Sequence, residues 1–242
     1  MGMENIMNRY IRRALSAYLA SAALAMSPGL SATMLPAMED FPMTLVDGII
    51  DEMLDAEMSV DEKLKVLATI ATDRRADVRI RVGELLCVYL EELDSALAMP
   101  LLAQLAGDRD PSVRNELRRA LAEALTHMNT LTRTAVVADL AFSSSKSLRH
   151  ILVTTLNKEI YCLGVPSLLA HLSQDPGVLV RRAVVDVAVA RMNENPRAYQ
   201  RILKSLCNDC HVPVRRAARN AVQRLKRRNY NWHERPISGV DC

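Results

Sequence analysis

Residues 108–125 read DRDPSVRNELRRALAEAL, and residues 175–192 read DPGVLVRRAVVDVAVARM. Each stretch opens on an aspartate, passes a proline (Pro111, Pro176) and reaches a Val-Arg pair five residues after the aspartate. Aspartate followed by proline makes a turn that leads into a helix start, with the aspartate placed to cap it. Beyond the pair, Val113, Leu117, Ala120, Leu121 and Ala124 fall on one stripe of a helix. A turn and helix start that occur twice call for a search along the whole chain for the same unit.

The Val-Arg pair recurs as Val78-Arg79, Val113-Arg114, Val180-Arg181 and Val214-Arg215. Leu148-Arg149 and Ile11-Arg12 are variants, and Leu45-Val46 fills the remaining slot without an arginine. The apolar anchors therefore stand at 11, 45, 78, 113, 148, 180 and 214, in steps of 32 to 35 residues. Five residues before them come Asp40, Asp73, Asp108, Asp175 and Asp209, with Ser143 in the odd slot, and Pro42 and Pro213 extend the proline pattern. Upstream, Leu67/Ile70, Leu102/Leu105, Val137/Leu140, Leu169/Leu172 and Leu203/Leu206 hold constant offsets and mark a first helix. Downstream, Val78, Val82, Leu85, Leu86 and Tyr89 repeat the stripe of the second.

A helix, a turn and a second helix every ~34 residues cannot bury its stripe alone and must stack on its neighbours. The stretches 108–125 and 175–192, within about six such units over residues 30–228, resemble the HEAT-repeat family, including the HEAT-like repeats of phycobilin lyases. The resemblance implies an all-α fold, a right-handed α-solenoid of HEAT-like helix-turn-helix repeats, with an extra N-terminal helix in residues 1–29 and a tail in 229–242. It also implies that Asp73, Asp108, Asp175 and Asp209, with Arg79, Arg114, Arg181 and Arg215, form a structural ladder between neighbouring repeats, interrupted at Ser143 and Val46. If the second helices line the concave side, as in that family, the column Arg13, Ile80, Asn115, His150, Arg182 and Arg216 projects toward it. Val153, Val185 and Val189 are then expected to be partly exposed there as an apolar contact patch.

Composition agrees with such a fold. The chain has 242 residues, is 50% hydrophobic and only 4% aromatic, which suits close helix packing and excludes a disordered chain. A net charge of +3 gives the whole molecule no strong pull toward nucleic acid. Five cysteines without disulfide-type spacing favour a reducing compartment, and the expected location is cytoplasmic. Residues 1–32 supply the competing reading. MNRYIRRALSAYLASAALAMSPGLSA at 7–32 has the basic start and alanine-rich stretch of a signal or transit peptide, which would make the protein exported or organellar. No apolar run is long enough to predict a conventional transmembrane segment.

Charge is distributed unevenly. Glu39, Asp40, Asp47, Asp51, Glu52, Asp55, Glu57, Asp61 and Glu62 precede Lys63 without an intervening cation, whereas Arg215, Arg216, Arg219, Arg224, Lys226, Arg227, Arg228 and Arg235 face only Glu234. The candidate partner-binding residues are therefore Arg182, Arg216, Arg219, Lys226, Arg227 and Arg228, and the expected partner is a protein with an acidic surface. Nucleic acid is the alternative, because clustered Lys and Arg neutralise phosphates and Tyr230 and Trp232 offer stacking rings. A solvated terminal cap would carry the same charges.

Cys207-Asn208-Asp209-Cys210-His211 spells C-x-x-C-H, the attachment motif of c-type haem. The repeat accounts for much of it: Asp209 is the recurring aspartate, and Cys207 takes the small-residue slot of Ala71, Ala106, Ala141 and Ser173. A single C-x-x-C with one histidine is not a zinc signature. No H-E-x-x-H, G-x-S-x-G or glycine-rich phosphate loop is present, and the sequence points to no catalytic residue, metal or cofactor. The expected function is a noncatalytic protein-protein interaction scaffold or regulatory adaptor. Nucleic-acid binding stands next, and a lyase-like or haem-carrying protein third.

Overall fold

A computed structural model describes residues 47–48, 60–91, 95–156, 160, 162 and 164–227. Among them all regular structure is helical. The helices are α1 (Val60–Ile70), α2 (Ala76–Val88), α3 (Ser95–Ala106), α4 (Pro111–His127), α5 (Thr130–Ala141), α6 (Lys146–Thr155), α7 (Val165–Leu172), α8 (Val178–Ala190), α9 (Pro196–Leu206) and α10 (Val212–Arg227). They form five helix-turn-helix pairs, each centred on one of the recurring turns. The readings of residues 1–29, of Leu45-Val46 and of the tail 229–242 lie outside the described residues.

The chain divides into two compact units, Met1–Leu117 and Arg118–Cys242. In the first, α1 packs on both α2 and α3, and α2 packs on α3. Leu67, Ile70, Val78, Val82, Leu86, Leu102, Leu105, Val113 and Leu117 fill the space between them. In the second unit, from α5 on, each helix packs on the next but one, and the pairs α5/α6, α7/α8, α8/α9 and α9/α10 pack on each other as well. First helices thus stack as α5, α7, α9 and second helices as α6, α8, α10, giving two layers. Its core runs between the layers through Val137, Leu140, Leu148, Leu152, Leu169, Leu172, Val180, Val184, Leu203, Leu206 and Val214. An 11-residue helix such as α9 is only ~16 Å long, so burial against neighbours, not propensity, holds it.

Small side chains let each first helix run into its turn. Ala71, Ala106, Ala141, Ser173 and Cys207 are all buried at that junction. The aspartates that follow act differently from the helix caps anticipated above. In α2 the N-cap position is Arg75 and in α8 it is Gly177. Asp73, Asp108, Asp175 and Asp209 instead accept from the backbone N–H two residues on, those of Arg75 (2.8 Å), Asp110 (2.8 Å), Gly177 (2.6 Å) and His211 (2.7 Å). Each closes the turn before the helix, an Asx-type bond that a short acceptor side chain makes easily. Ser143 does the same through Oγ to the Ser145 N–H at 3.2 Å, which is why serine can stand in that slot. A Cβ on Gly177 would meet Asp175 Oδ1 at 2.9 Å, so glycine there keeps the turn from colliding with its own carboxylate.

Candidate interaction surface

Three of the arginines after the anchors, Arg79, Arg149 and Arg181, reach in two directions. Nη1 of Arg79 donates to the carbonyls of Asp73 and Arg74, at 2.7 and 2.8 Å, stapling the turn before its own helix. Its Nε and Nη2 donate to Asp108 of the following turn at 2.7 and 3.0 Å. Arg181 repeats the arrangement with Asp175 O and Pro176 O behind it and with Asp209 ahead, at 2.6 and 3.0 Å. Arg149, which the sequence reading left out of its ladder, does so with Ser143 O and the carboxylate of Asp175. Its signal was the conservative change from Val-Arg to Leu-Arg. Arg114 is anchored to Asp108 O and Arg109 O, and the register position that follows, 143, is a serine without a carboxylate. Asp73 pairs with Arg75 of its own turn at 3.3 Å.

These pairs are two-point, charge-assisted and largely out of water. Hydrogen bonding from Arg181 holds the Asp209 carboxyl below the usual carboxylate range despite burial. Burial alone would raise Asp108, but the hydrogen bonds from Arg79 and the Asp110 N–H bring it down as well. Their carboxylates are thereby committed to the protein's own guanidinium groups and offer little to a ligand.

The exposed chemistry lies at the C-terminal helix. Val214, Ala218, Ala221, Val222 and Leu225 form the buried stripe of α10, and Arg216, Arg219, Asn220, Gln223, Lys226 and Arg227 are exposed. No Asp or Glu occurs between Asp209 and Glu234. Arg216, Arg219 and Arg227 meet no carboxylate among the described residues. Arg182 differs: it is half-exposed on α8 and paired with Asp186 at 2.7 Å, so its charge is partly compensated. Arg228, Tyr230, Trp232 and Arg235 lie outside the described residues, as does the acidic run from Glu39 to Glu62 apart from Asp47, Asp61 and Glu62. Asp47 bonds Arg81 at 2.9 Å.

In the column two residues after each anchor, Asn115 and Arg216 are exposed and Ile80, His150 and Arg182 are intermediate, while Arg13 falls outside the description. Burial makes His150 a weaker base than a free imidazole. The valine patch expected beside this column is not there. Val153 and Val185 are buried, at 0% and 2% exposure, and only Val189 is partly open. Both lie on helix faces that the stacked neighbours cover, a direction that helical phase within a single repeat does not reveal. Apolar exposure occurs elsewhere, at Phe142, Leu179 and Val212 beside the turns, with Phe142 against His171 at 4.8 Å between ring centroids. The sequence analysis also missed Arg191, a fully buried arginine that donates to Glu194 at 2.8 Å and to the Ile160 carbonyl at 2.9 Å.

The C-x-x-C-H motif is split by the fold. Cys207 is 1% exposed at the end of α9, whereas Cys210 and His211 are exposed in the turn, with Cys210 Sγ 3.0 Å from His211 Nδ1. Asp209, Cys210 and His211 are close enough to suggest a metal, but Arg181 lies against all three, at 3.7 Å from Cys210 Sγ and 3.0 Å from His211 Nδ1. A fixed guanidinium there opposes a cation, and Asp209 already accepts from it.

No family model and no curated protein matches the chain in sequence. In fold it is similar to a solved structure of crescerin, a protein described as using a TOG domain array to regulate microtubules in the primary cilium. The TM-score is 0.52 at 14% identity, over 77% of this chain and 86% of that one. The likeness is one of fold, and it supports a HEAT-like helical-repeat architecture for this chain. Among the described residues no helix is long and apolar enough to cross a membrane.

Proposed function

We propose that this protein is a noncatalytic interaction scaffold or adaptor. It would hold an acidic protein partner on the faces its second helices expose and, above all, on the basic C-terminal repeat. The reading takes residues 30–228 as about six HEAT-like repeats, with 1–29 as an added helix and 229–242 as a tail. The observation that carries it is the exposed face of α10, where Arg216, Arg219 and Arg227 meet no acidic side chain among the described residues. Uncompensated cations on a helix already anchored by its apolar stripe attract a partner of opposite charge without cost to the fold. Crescerin's role does not transfer at 14% identity, and the partner is defined here only by its charge.

In vivo cross-linking with mass spectrometry tests this directly, comparing the native chain with Arg216→Glu/Arg219→Glu/Arg227→Glu. The expected result is a set of cross-links from α10 to an acidic protein surface that disappears in the variant. An unchanged set would remove α10 from the binding site.

A second reading, nucleic-acid binding, rests on Asn220 and Gln223 standing exposed among those cations, since side-chain amides can read base edges where arginines hold phosphates. It requires affinity for arbitrary DNA or RNA that falls steeply with salt. The lyase-like or haem-carrying reading is weakened by Cys207, whose thiol is packed into the core and is not presented for a thioether bond.

A further inference from the structure

The ladder arginines share one anchor, and two of them lack the carboxylate ahead: Arg114, whose next register position is Ser143, and Arg215. In Arg79, Arg149 and Arg181 the Nη1 group is tied to carbonyls of the preceding turn, which orients the Nε–Nη2 edge toward the next aspartate. Arg215 has the same anchor, donating from Nη1 to Asp209 O at 2.7 Å and to Cys210 O at 2.8 Å. It stands in α10, the last described helix, and Asp209 is already engaged by Arg181. Among the described residues no carboxylate meets the Nε–Nη2 edge of Arg215.

We propose that Arg215 is a carboxylate-binding fork that receives an Asp or Glu side chain from an acidic protein partner. The inference rests on the reading of α10 as the docking helix, and it names the group that helix grips. The argument is one of preorganisation. A free arginine loses rotamer freedom when it closes on a carboxylate, but Arg215 is held by two carbonyls before any partner arrives. Its planar fork matches the two oxygens of a carboxylate, and the same edge accepts one in all three internal rungs. The exposed cations Arg216, Arg219 and Arg227 draw an acidic surface in, whereas Arg215 fixes where one of its carboxylates sits. Arginines that differ only in anchoring should therefore differ in their importance for binding.

The test uses the full chain and a fluorescently labelled oligo-aspartate peptide, with duplex DNA of equal charge as the comparison probe. Replacing arginine by lysine keeps the charge and removes the fork. Arg215→Lys is expected to weaken peptide binding about tenfold and Arg216→Lys less than about threefold. Arg215 also steadies its turn, so the native chain supplies a second readout: the 15Nε–1Hε resonance of Arg215 should shift on titration with the peptide. Equal losses in the two variants, or a motionless resonance while the peptide binds, would sink the fork and leave the basic-helix reading standing. Binding of duplex DNA in place of the peptide, or of neither probe, would overturn both.

Discussion

Arg181 and Asp209 stand 28 residues apart in the chain and meet through two hydrogen bonds, of 2.6 and 3.0 Å, with both side chains largely removed from water. The same arginine holds the turn before it through Asp175 O. One side chain thus ties two successive repeats together and sets the shape of the first turn. Removing the carboxylate leaves a desolvated guanidinium with its backbone contacts and its neighbours Cys210 and His211 but no countercharge against it. Asp209→Ala is expected to cost about 3–5 kcal/mol in urea denaturation. Arg181→Met/Asp209→Leu is expected to cost less than the sum of the single changes. A double-mutant cycle with no coupling would show the pair to be a surface-type contact.

The low carboxyl pKa values of Asp108 and Asp209 define an acid limit. A group whose folded pKa lies below its unfolded value of about 3.9 contributes stability above that value, and loses it as the pH falls through the folded pKa. Stability should therefore fall as the solution is acidified below about pH 4, with protons taken up on unfolding. Asp108→Asn/Asp209→Asn, measured by thermal melts against pH, should be less stable at neutrality and show a shallower acid limb. An unchanged slope would locate the acid response in other groups.

Val153 and Val189 separate burial from helical phase. Val153→Asp places a charge where exposure is 0% and is expected to destabilise by more than about 4 kcal/mol. Val189→Asp, at a partly open site of α8, should cost less than about 1 kcal/mol. Circular-dichroism melts of the two variants decide the matter, and similar losses would contradict the stacking of α8 between its neighbours.

Thiol accessibility should divide the cysteines sharply. In a Cys242→Ser background Cys210 is expected to react at once with a maleimide, while Cys87, Cys162 and Cys207 react only on unfolding. Burial pushes the Cys87 thiol up to about 12, which removes its thiolate at neutral pH and slows it further. Fast labelling of Cys207 in the folded chain would reopen the C-x-x-C-H motif as a place for a covalent group.

Much of the architecture was legible along the chain because the repeat writes the same instructions several times. The apolar pairs from Leu67/Ile70 to Leu203/Leu206 became the buried face of the first helices, and Cys207 became a small packing residue in the slot that Ala71, Ala106 and Ala141 fill elsewhere. The binding surface was less legible. Arg216, Arg219 and Arg182 look alike as letters, yet Arg182 has Asp186 one turn away and the other two have no acidic side chain beside them. Arg191 gave no signal, because the Ile160 carbonyl and Glu194 that hold it are brought together only by folding.

By itself the sequence determined the period, the helix-turn-helix unit, the all-helical class and the concentration of positive charge after Asp209, since each depends on residues close together in the chain. Tertiary structure decided the rest: that Arg79, Arg149 and Arg181 reach the aspartate of the next turn, that the aspartates close turns and do not cap helices, and that Val153 and Val185 are covered. Those outcomes depend on which face of a repeat its neighbour occupies and on the direction of a guanidinium held between two turns. A spacing of residues along one helix carries no information about either.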